Sequence, residues 1–438
     1  MDRYTISQIL QPIIDQTPII DLHTHTFSPA FGDSQNANTP LAENGGGLLW
    51  GVDELVTYHY LIAELFRVIS PDQLTPDQFY NLPKTEQADL IWSELFIKRT
   101  PISEACRGVI TTLHKLGLDP NTSTLTPIRN WFKEQNASDF VDRVMSIANV
   151  NLIVMTNEVF DPHEQQLWLA QPEKLKQDSR FRAVLRVDAL LNDWPSVQKS
   201  LQNLGYSVTS EFNQSCIDPI KQFLTDWIAR MDPLYIATSF SPDFVYPSNS
   251  HDTSSQPHIR DTIIDQALMP ILKDHNLPWA LMIGSKRHIN PALRSAGDTC
   301  AKADVQTVAN LAANYPQNKF LITMLSRENQ HELCVVARKF GNLLPFGCWW
   351  FLNNPSIIEE MTRQRIELLG SSFVPQHSDA RILDQLIYKW DHSRKIISKV
   401  LLDKYTDLAA SGWHITESQI QSDVNRFFHQ NFKDFVGL

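Results

Sequence analysis

Residues 18–25 read PIIDLHTH, and the fold turns on that octapeptide. Its apolar, β-branched run has the composition of a short buried strand and ends on two histidines one residue apart. Along a strand, residues i and i+2 project from the same side, so His23 and His25 turn to one face at the C-terminal tip. Imidazoles spaced this way can share one metal ion without distorting the backbone. The pair alone is weak evidence, because 14 histidines in 438 residues give about 0.4 such pairs by chance. Two satisfied histidines packing at a strand end would be spelled identically.

Runs of the same kind recur downstream: 152–157 (LIVMTN), 182–188 (RAVLRVD), 233–240 (PLYIATSF), 278–284 (PWALMIG), 319–326 (KFLITMLS), 343–352 (LLPFGCWWFL) and 371–379 (SSFVPQHSD). Helical periodicity separates them at 261–275, 304–315, 330–340 and 356–369. Strands alternating with helices imply βαβ units and a parallel sheet. Eight units are the number that closes a (β/α)8 (TIM) barrel, with an open doubly wound sheet as the alternative. The chain reads as a single α/β barrel over 1–438. The gap between the first two strands is too long for a crossover and carries helical pattern at 53–69, 84–97, 103–115 and 126–148. It is expected to be a helical insertion, 50–150, in the first βα loop. Before it, 33–47 holds the triplet Gly45-Gly46-Gly47 among polar residues, which suits a lid or equally a tolerated surface loop. Residues 380–438 are expected to form closing helices.

The second chemical constellation is His377-Ser378-Asp379-Ala380-Arg381. In a closed barrel the eighth strand lies beside the first, which would bring Asp379 to His23 and His25. Two neutral imidazoles and a carboxylate form a three-ligand set for a divalent ion. The other reading is that Ser378 or Asp379 caps the helix that follows. Arg186, Arg327 and Arg381 stand at or just beyond predicted strand tips, and together they would create a local anion-binding field. Tyr58-His59-Tyr60 reads as core aromatics or as polar groups delivered to the metal mouth. No P-loop or G-x-G-x-x-G is present, and His331-Glu332 lacks the second histidine of H-E-x-x-H.

Composition sets the outer limits. With 42% hydrophobic residues, 11 Trp and 22 Phe, the chain can bury a large core. The balance of 38 basic against 49 acidic residues, net -11, argues against nucleic acid as a partner. Five scattered cysteines, odd in number and without a C-x-x-C pair, indicate a reducing, cytoplasmic setting. The N-terminus lacks a signal-peptide pattern. The strongest apolar run, 343–352, is interrupted by Pro345 and Gly347 and is about half a membrane span.

An eight-stranded barrel with H-x-H closing strand one and Asp closing strand eight resembles the amidohydrolase superfamily. The segments DLHTHTFSPAFG, LLWGVDELVTYHYLIAE, TMLSRENQHE, FGCWWFLNNP and SSFVPQHSDARILDQLIYKW are similar, nearly end to end, to the shorter bacterial type of the uronate (glucuronate) isomerase family. The resemblance implies interconversion of D-glucuronate with D-fructuronate and of D-galacturonate with D-tagaturonate. It implies one divalent metal, Zn2+ as the expectation, on His23, His25 and Asp379, with His59, Tyr60, Arg381 and Arg186 contacting the uronate. Arg327 joins them on predicted geometry alone. Asp379 would take a hydroxyl proton in ring opening and Tyr60 would serve C2–C1 proton transfer, while His59 and Arg381 hold the reacting oxygens. The sequence departs from the common superfamily pattern, because Ser239, Gly284 and Ser326 end strands four to six where Lys and His would stand. That favours one metal over two. A metal-dependent hydrolase of lactones or amides and a non-catalytic sugar-acid-binding protein are the competing readings, and a homo-oligomer is left open.

Overall fold

The apolar runs pair side by side because each is too hydrophobic to leave either face in water, the condition under which strands assemble in parallel beneath helices. In the computed structural model, which describes residues 2–36, 41 and 47–438, the first strand (Ile19–Thr24) pairs with the second (Val150–Met155). The second resumes after Thr156 as Asn157–Glu158. The third is split into Phe181–Arg182 and Leu185–Arg186, each piece pairing with one part of the second. The fourth (Ile236–Phe240), fifth (Trp279–Ile283), sixth (Phe320–Met324) and seventh (Leu343–Pro345) follow in chain order, every pairing parallel.

An eighth segment closes the ring. Val374 bridges Phe346 in parallel. Beyond it the Asp379 N–H donates to the His23 carbonyl at 3.2 Å, and the His25 N–H donates to the Ala380 carbonyl at 2.7 Å. The architecture is the expected α/β TIM barrel, not the open sheet. One expected strand is shorter than its apolar pattern: within 343–352 the strand is Leu343–Pro345, with a single bridge beyond it at Phe346. Gly347 then turns the chain with φ +62°, where a Cβ would overlap the His377 ring, and Trp350–Leu352 forms a single 3-10 turn at the mouth.

The strands sort their side chains into two cores. Ile20, Leu22, Val154, Ala237, Ala280, Leu321 and Leu344 fill the lumen. Ile19, Ile153, Ile236, Leu281 and Ile322 face the surrounding helices. In strand one the alternation breaks at a register shift between Asp21 and Thr24. Leu22 packs in the lumen, and so does the next residue, His23, whose ring contacts Phe346 and His377. Such an irregularity re-aims a side chain at the end of a strand.

Between strands one and two the chain is helical: Val52–Val56, His59–Val68, Pro76–Tyr80, Lys84–Ile91 continuing as the wider turn Trp92–Ile97, Glu104–Lys115, Thr126–Lys133 and Ala137–Ala148. The expected helix 53–69 is interrupted at Thr57 and Tyr58. The expected helix 126–148 is interrupted before Asn136, whose side chain caps the next helix by accepting from Asp139 N–H. Most of the 33–47 stretch considered as a lid lies outside the described residues. After the eighth strand come Gln385–Ala410, Glu417–Asn425 and Asn431–Val436, in the positions expected of closing helices. No helix among the described residues is long and apolar enough to cross a membrane.

The helical segment is fastened over the mouth through strand eight's exit. Leu49 bridges Ile382, the Leu383 N–H donates to the Leu49 carbonyl at 2.8 Å, and the Gly51 N–H donates to the Asp384 carboxylate at 3.1 Å. Asp384 is fully buried, and burial pushes its carboxyl up to about 7 against the Gly51 hydrogen bond. A carboxyl raised above its unfolded value near 3.8 favours folding most when both states are protonated. That advantage is lost progressively as pH rises from about 4 to about 7. Asp384→Asn is therefore expected to match the wild type in stability near pH 4 and exceed it at pH 8 by on the order of 2–4 kcal/mol, as measured by urea unfolding at the two pH values.

Candidate active site

Three side chains meet where strands one and eight end. His23 Nε2 lies 3.5 Å from Asp379 Oδ1, and His25 Nε2 lies 3.7 Å from the same oxygen. One ligating atom from each residue falls within a 4.8 Å cluster. Neighbouring ligand atoms in a tetrahedral zinc site stand about 3.3–3.5 Å apart, given bonds of about 2.0–2.1 Å, so the spacing suits a single ion. The buried His23 Nε2 and Asp379 Oδ1 have no hydrogen-bond partner in the protein, a costly state unless a ligand satisfies them.

The surroundings prepare these atoms for metal. Thr156 donates its hydroxyl to the Thr24 carbonyl at 2.9 Å, so at 3.0 Å it accepts from His25 Nδ1. The proton thus sits on Nδ1 and the Nε2 lone pair faces Asp379. Burial, assisted by Arg186, lowers His23 to about 3. Burial, with His23 beside it and Arg186, Arg381 and Arg287 as cationic neighbours, holds His25 well below its ordinary value. Both imidazoles are neutral near pH 7, the form that ligates. Burial pushes Asp379 up to about 7, opposed by Lys389 and Arg186. The ligand set therefore fits a divalent cation in charge, tautomer and spacing.

Above this cluster opens a cavity of about 440 Å³. Tyr58 and His59, from the helical segment, form one wall, and Trp349 and Trp350 form another. The Trp350 indole N–H donates to His59 Nε2 at 3.1 Å. Burial lowers His59 to about 3, so the ring is neutral and its proton sits on Nδ1. Arg186, Arg287 and Arg381 line the cavity. Arg186 is tied down by Asp188 at 2.6 Å, by Ser239 at 3.2 Å and by Glu158 at 3.6 Å. Arg287 pairs with the buried Asp298 at 2.6 Å and lies over the Trp350 ring. Burial, with Asp188 nearby, pushes Glu158 up to about 8, opposed by Arg186.

The fold gathers His23, His25, His59, Asp379, Arg186 and Arg381 around one cavity, as expected. Tyr60 does not line it. Its ring packs against the lumen core and Phe351, its hydroxyl is buried without a partner, and burial raises its pKa well above that of an ordinary phenol. Arg327 is a correction. Strand six ends at Met324, and the following 3-10 turn carries Arg327 outward, where it is half exposed and pairs with Glu360 at 3.0 Å. The third arginine of the mouth is Arg287, from the SKRH segment after strand five, a run of charge at a predicted tip that pattern reading passed over. Trp349 and Trp350 were hidden inside a run read as strand. Thr156 carries no signal in sequence, because its role exists only beside His25.

The geometry predicts one equivalent of Zn2+ or Co2+ per chain by calorimetric titration. His25→Ala is expected to weaken binding by about 100-fold or more, while Arg327→Ala leaves the binding isotherm unchanged. Equal binding by wild type and His25→Ala would place the ion elsewhere.

No protein-family model matches the chain, and no curated protein does. Solved structures do. A uronate isomerase from Bacillus halodurans is 49% identical, covers 100% of this chain and 97% of its own, and superposes with a TM-score of 0.91. A uronate isomerase from Thermotoga maritima (14% identity, 98% and 97% covered, TM-score 0.68) shares the fold. So does a glucuronate isomerase from Caulobacter crescentus (14%, 99% and 94%, TM-score 0.64). With close to half of its residues identical to the Bacillus protein from end to end, and the H-x-H and Asp positions meeting as described, the chain belongs to the uronate isomerase family.

Proposed function

We propose that the cavity interconverts D-glucuronate with D-fructuronate and D-galacturonate with D-tagaturonate, using one divalent ion, Zn2+, held by His23, His25 and Asp379. The observation that carries the reading is the meeting, in one cavity, of a neutral two-imidazole, one-carboxylate set with three arginines. That combination suits a small anionic sugar with adjacent oxygens. An ion bound there supplies Lewis acidity to polarise a sugar oxygen.

The rest of the chemistry belongs to side chains. Aldose–ketose isomerisation opens the sugar ring, then moves a proton between C2 and C1 through an enediol. A base must therefore be positioned and the developing negative charge stabilised. Arg381, Arg287 and Arg186 set the field that receives the carboxylate. Arg186 is already held by Asp188 and Glu158 and so loses little freedom on binding. Asp379, the carboxylate of the ligand cluster, takes the hydroxyl proton as the ring opens and returns it to the ring oxygen. His59, with Nε2 engaged by Trp350, presents Nδ1–H as a donor to a reacting oxygen. Tyr60 keeps its phenol protonated through burial. It stands behind His59, with ring centroids 4.6 Å apart, and off the cavity lining, so the C2–C1 transfer falls to Asp379, which takes the C2 proton once the ring is open and gives it to C1.

The test is an assay of ketose formation from each uronate by Zn2+-reconstituted and chelator-stripped protein, beside hydrolysis of a lactone and amide panel. Metal-dependent ketose formation is expected on at least one uronate. Hydrolysis without isomerisation supports the hydrolase reading, and binding without turnover supports a sugar-acid-binding protein; either would falsify the isomerase assignment. Tyr60→Phe is expected to keep kcat within about 10-fold of wild type, and a loss of about 10²-fold or more would place the phenol on the proton path.

A further inference from the structure

Asp379 takes φ +52°, a left-handed conformation that a residue other than glycine adopts only when its surroundings enforce it. The enforcement comes from the two peptides that flank Ser378. The Ser378 N–H donates to Asp21 Oδ1 at 3.0 Å, and the Ser378 carbonyl accepts from Lys389 Nζ at 2.6 Å and from Asn353 Nδ2 at 2.9 Å. The second oxygen of Asp21 accepts from the Trp390 indole at 2.8 Å. Asp21 and Lys389 are 0% and 3% exposed. Lys389 and Trp390 are consecutive on Gln385–Ala410, so one helix supplies both the cation on the carbonyl side and the anchor for the anion on the amide side.

We propose that Asp21 and Lys389 are positioning residues that hold Asp379 as a metal ligand by gripping Ser378 at its amide and its carbonyl, and so the two peptides that flank it. The inference rests on the metal site proposed above and adds residues that touch neither metal nor substrate. Buried charges give weak stabilisation compared with well-packed apolar groups, so stability alone does not account for Asp21 and Lys389 here. Charge-assisted hydrogen bonds are shorter and stronger than neutral ones and tolerate less displacement. Applied to the amide and the carbonyl of Ser378, which belong to the peptides before and after it, they fix both peptide planes and so the backbone from which Asp379 starts. That backbone decides whether the Asp379 carboxylate stands 3.5 Å from His23 Nε2 or swings off it.

The experiment compares full-length wild type with Lys389→Met, Lys389→Gln, Asp21→Asn and Asp379→Ala. Co2+ affinity is read by chelator competition, ligand geometry by the Co2+ d–d absorption band, and apoprotein stability by thermal unfolding. Lys389→Met is expected to weaken Co2+ binding about 10–100-fold and to change the d–d band. Lys389→Gln retains a donor to the Ser378 carbonyl and is expected to recover most of the affinity. Asp21→Asn, nearly isosteric, is expected to show an intermediate loss, and it decides on the same readouts if Lys389→Met does not fold. Wild-type affinity and an unchanged band in Lys389→Met or Asp21→Asn, whatever the melting temperature, overturns the proposal and leaves the pair a structural support. If wild type and Asp379→Ala bind Co2+ equally, the metal site itself is wrong and the positioning role falls with it.

Discussion

The seam between strands eight and one carries the site. Two backbone hydrogen bonds, from Asp379 to the His23 carbonyl and from His25 to the Ala380 carbonyl, bring together residues about 350 positions apart. They are reinforced by Thr26, whose hydroxyl donates to Ala380. Ring closure supplies this seam as a matter of topology: the last strand of a barrel has no other neighbour left to pair with. The eighth segment is irregular and includes Pro375, which has no N–H to give to a ladder, so side chains take over part of the fastening. Everything chemical in the molecule hangs from that join.

Electrostatics follow from the same burial. A chain of net charge -11 surrounds its cavity with Arg186, Arg287 and Arg381, while the histidines facing them stay neutral because a charged imidazole there would be both desolvated and repelled. The carboxylates Asp21, Asp379 and Asp384 are raised chiefly by burial, a cost that stability alone would select against. Each of them holds a segment of the mouth in place: Asp21 the Ser378 amide, Asp384 the Gly51 amide, and Asp379 the ligand cluster itself. Bulk charge excludes broad classes of partner, whereas a single cavity answers to a few local charges in a low-dielectric setting.

The helical segment after strand one shows how a barrel builds an active-site rim from an excursion. Its entry is held by Leu383 and Asp384, and its helix Glu104–Lys115 packs on Gln385–Ala410, with Gly108 so close to Tyr388 that a Cβ would sit 2.7 Å from the ring. Tyr58 and His59 reach the cavity because the excursion is fixed at its entry to Ile382, Leu383 and Asp384, just beyond Asp379, and further along to the helix that follows them.

Continuous apolar, β-branched runs and their alternation with helices are local properties, so the eight strands, the barrel and the H-x-H tip could be read from the chain alone. The pairing of His23 and His25 with Asp379 could be read too, because ring closure makes first and last strands neighbours whatever lies between. Resemblance to a family, carried by specific segments, extended that to His59, Arg381 and the chemistry. Tertiary structure alone decided the rest. A one-residue register shift turned His23 into the lumen beside Leu22, and a 3-10 turn threw Arg327 outward and left its expected place to Arg287. Pro345 and Gly347 ended a strand early and swung Trp350 onto His59. Thr156 selected the His25 tautomer. Each of these depends on where a backbone bends by one residue or which atom stands within 3 Å, and such distances are set by packing between distant segments, which no local pattern encodes.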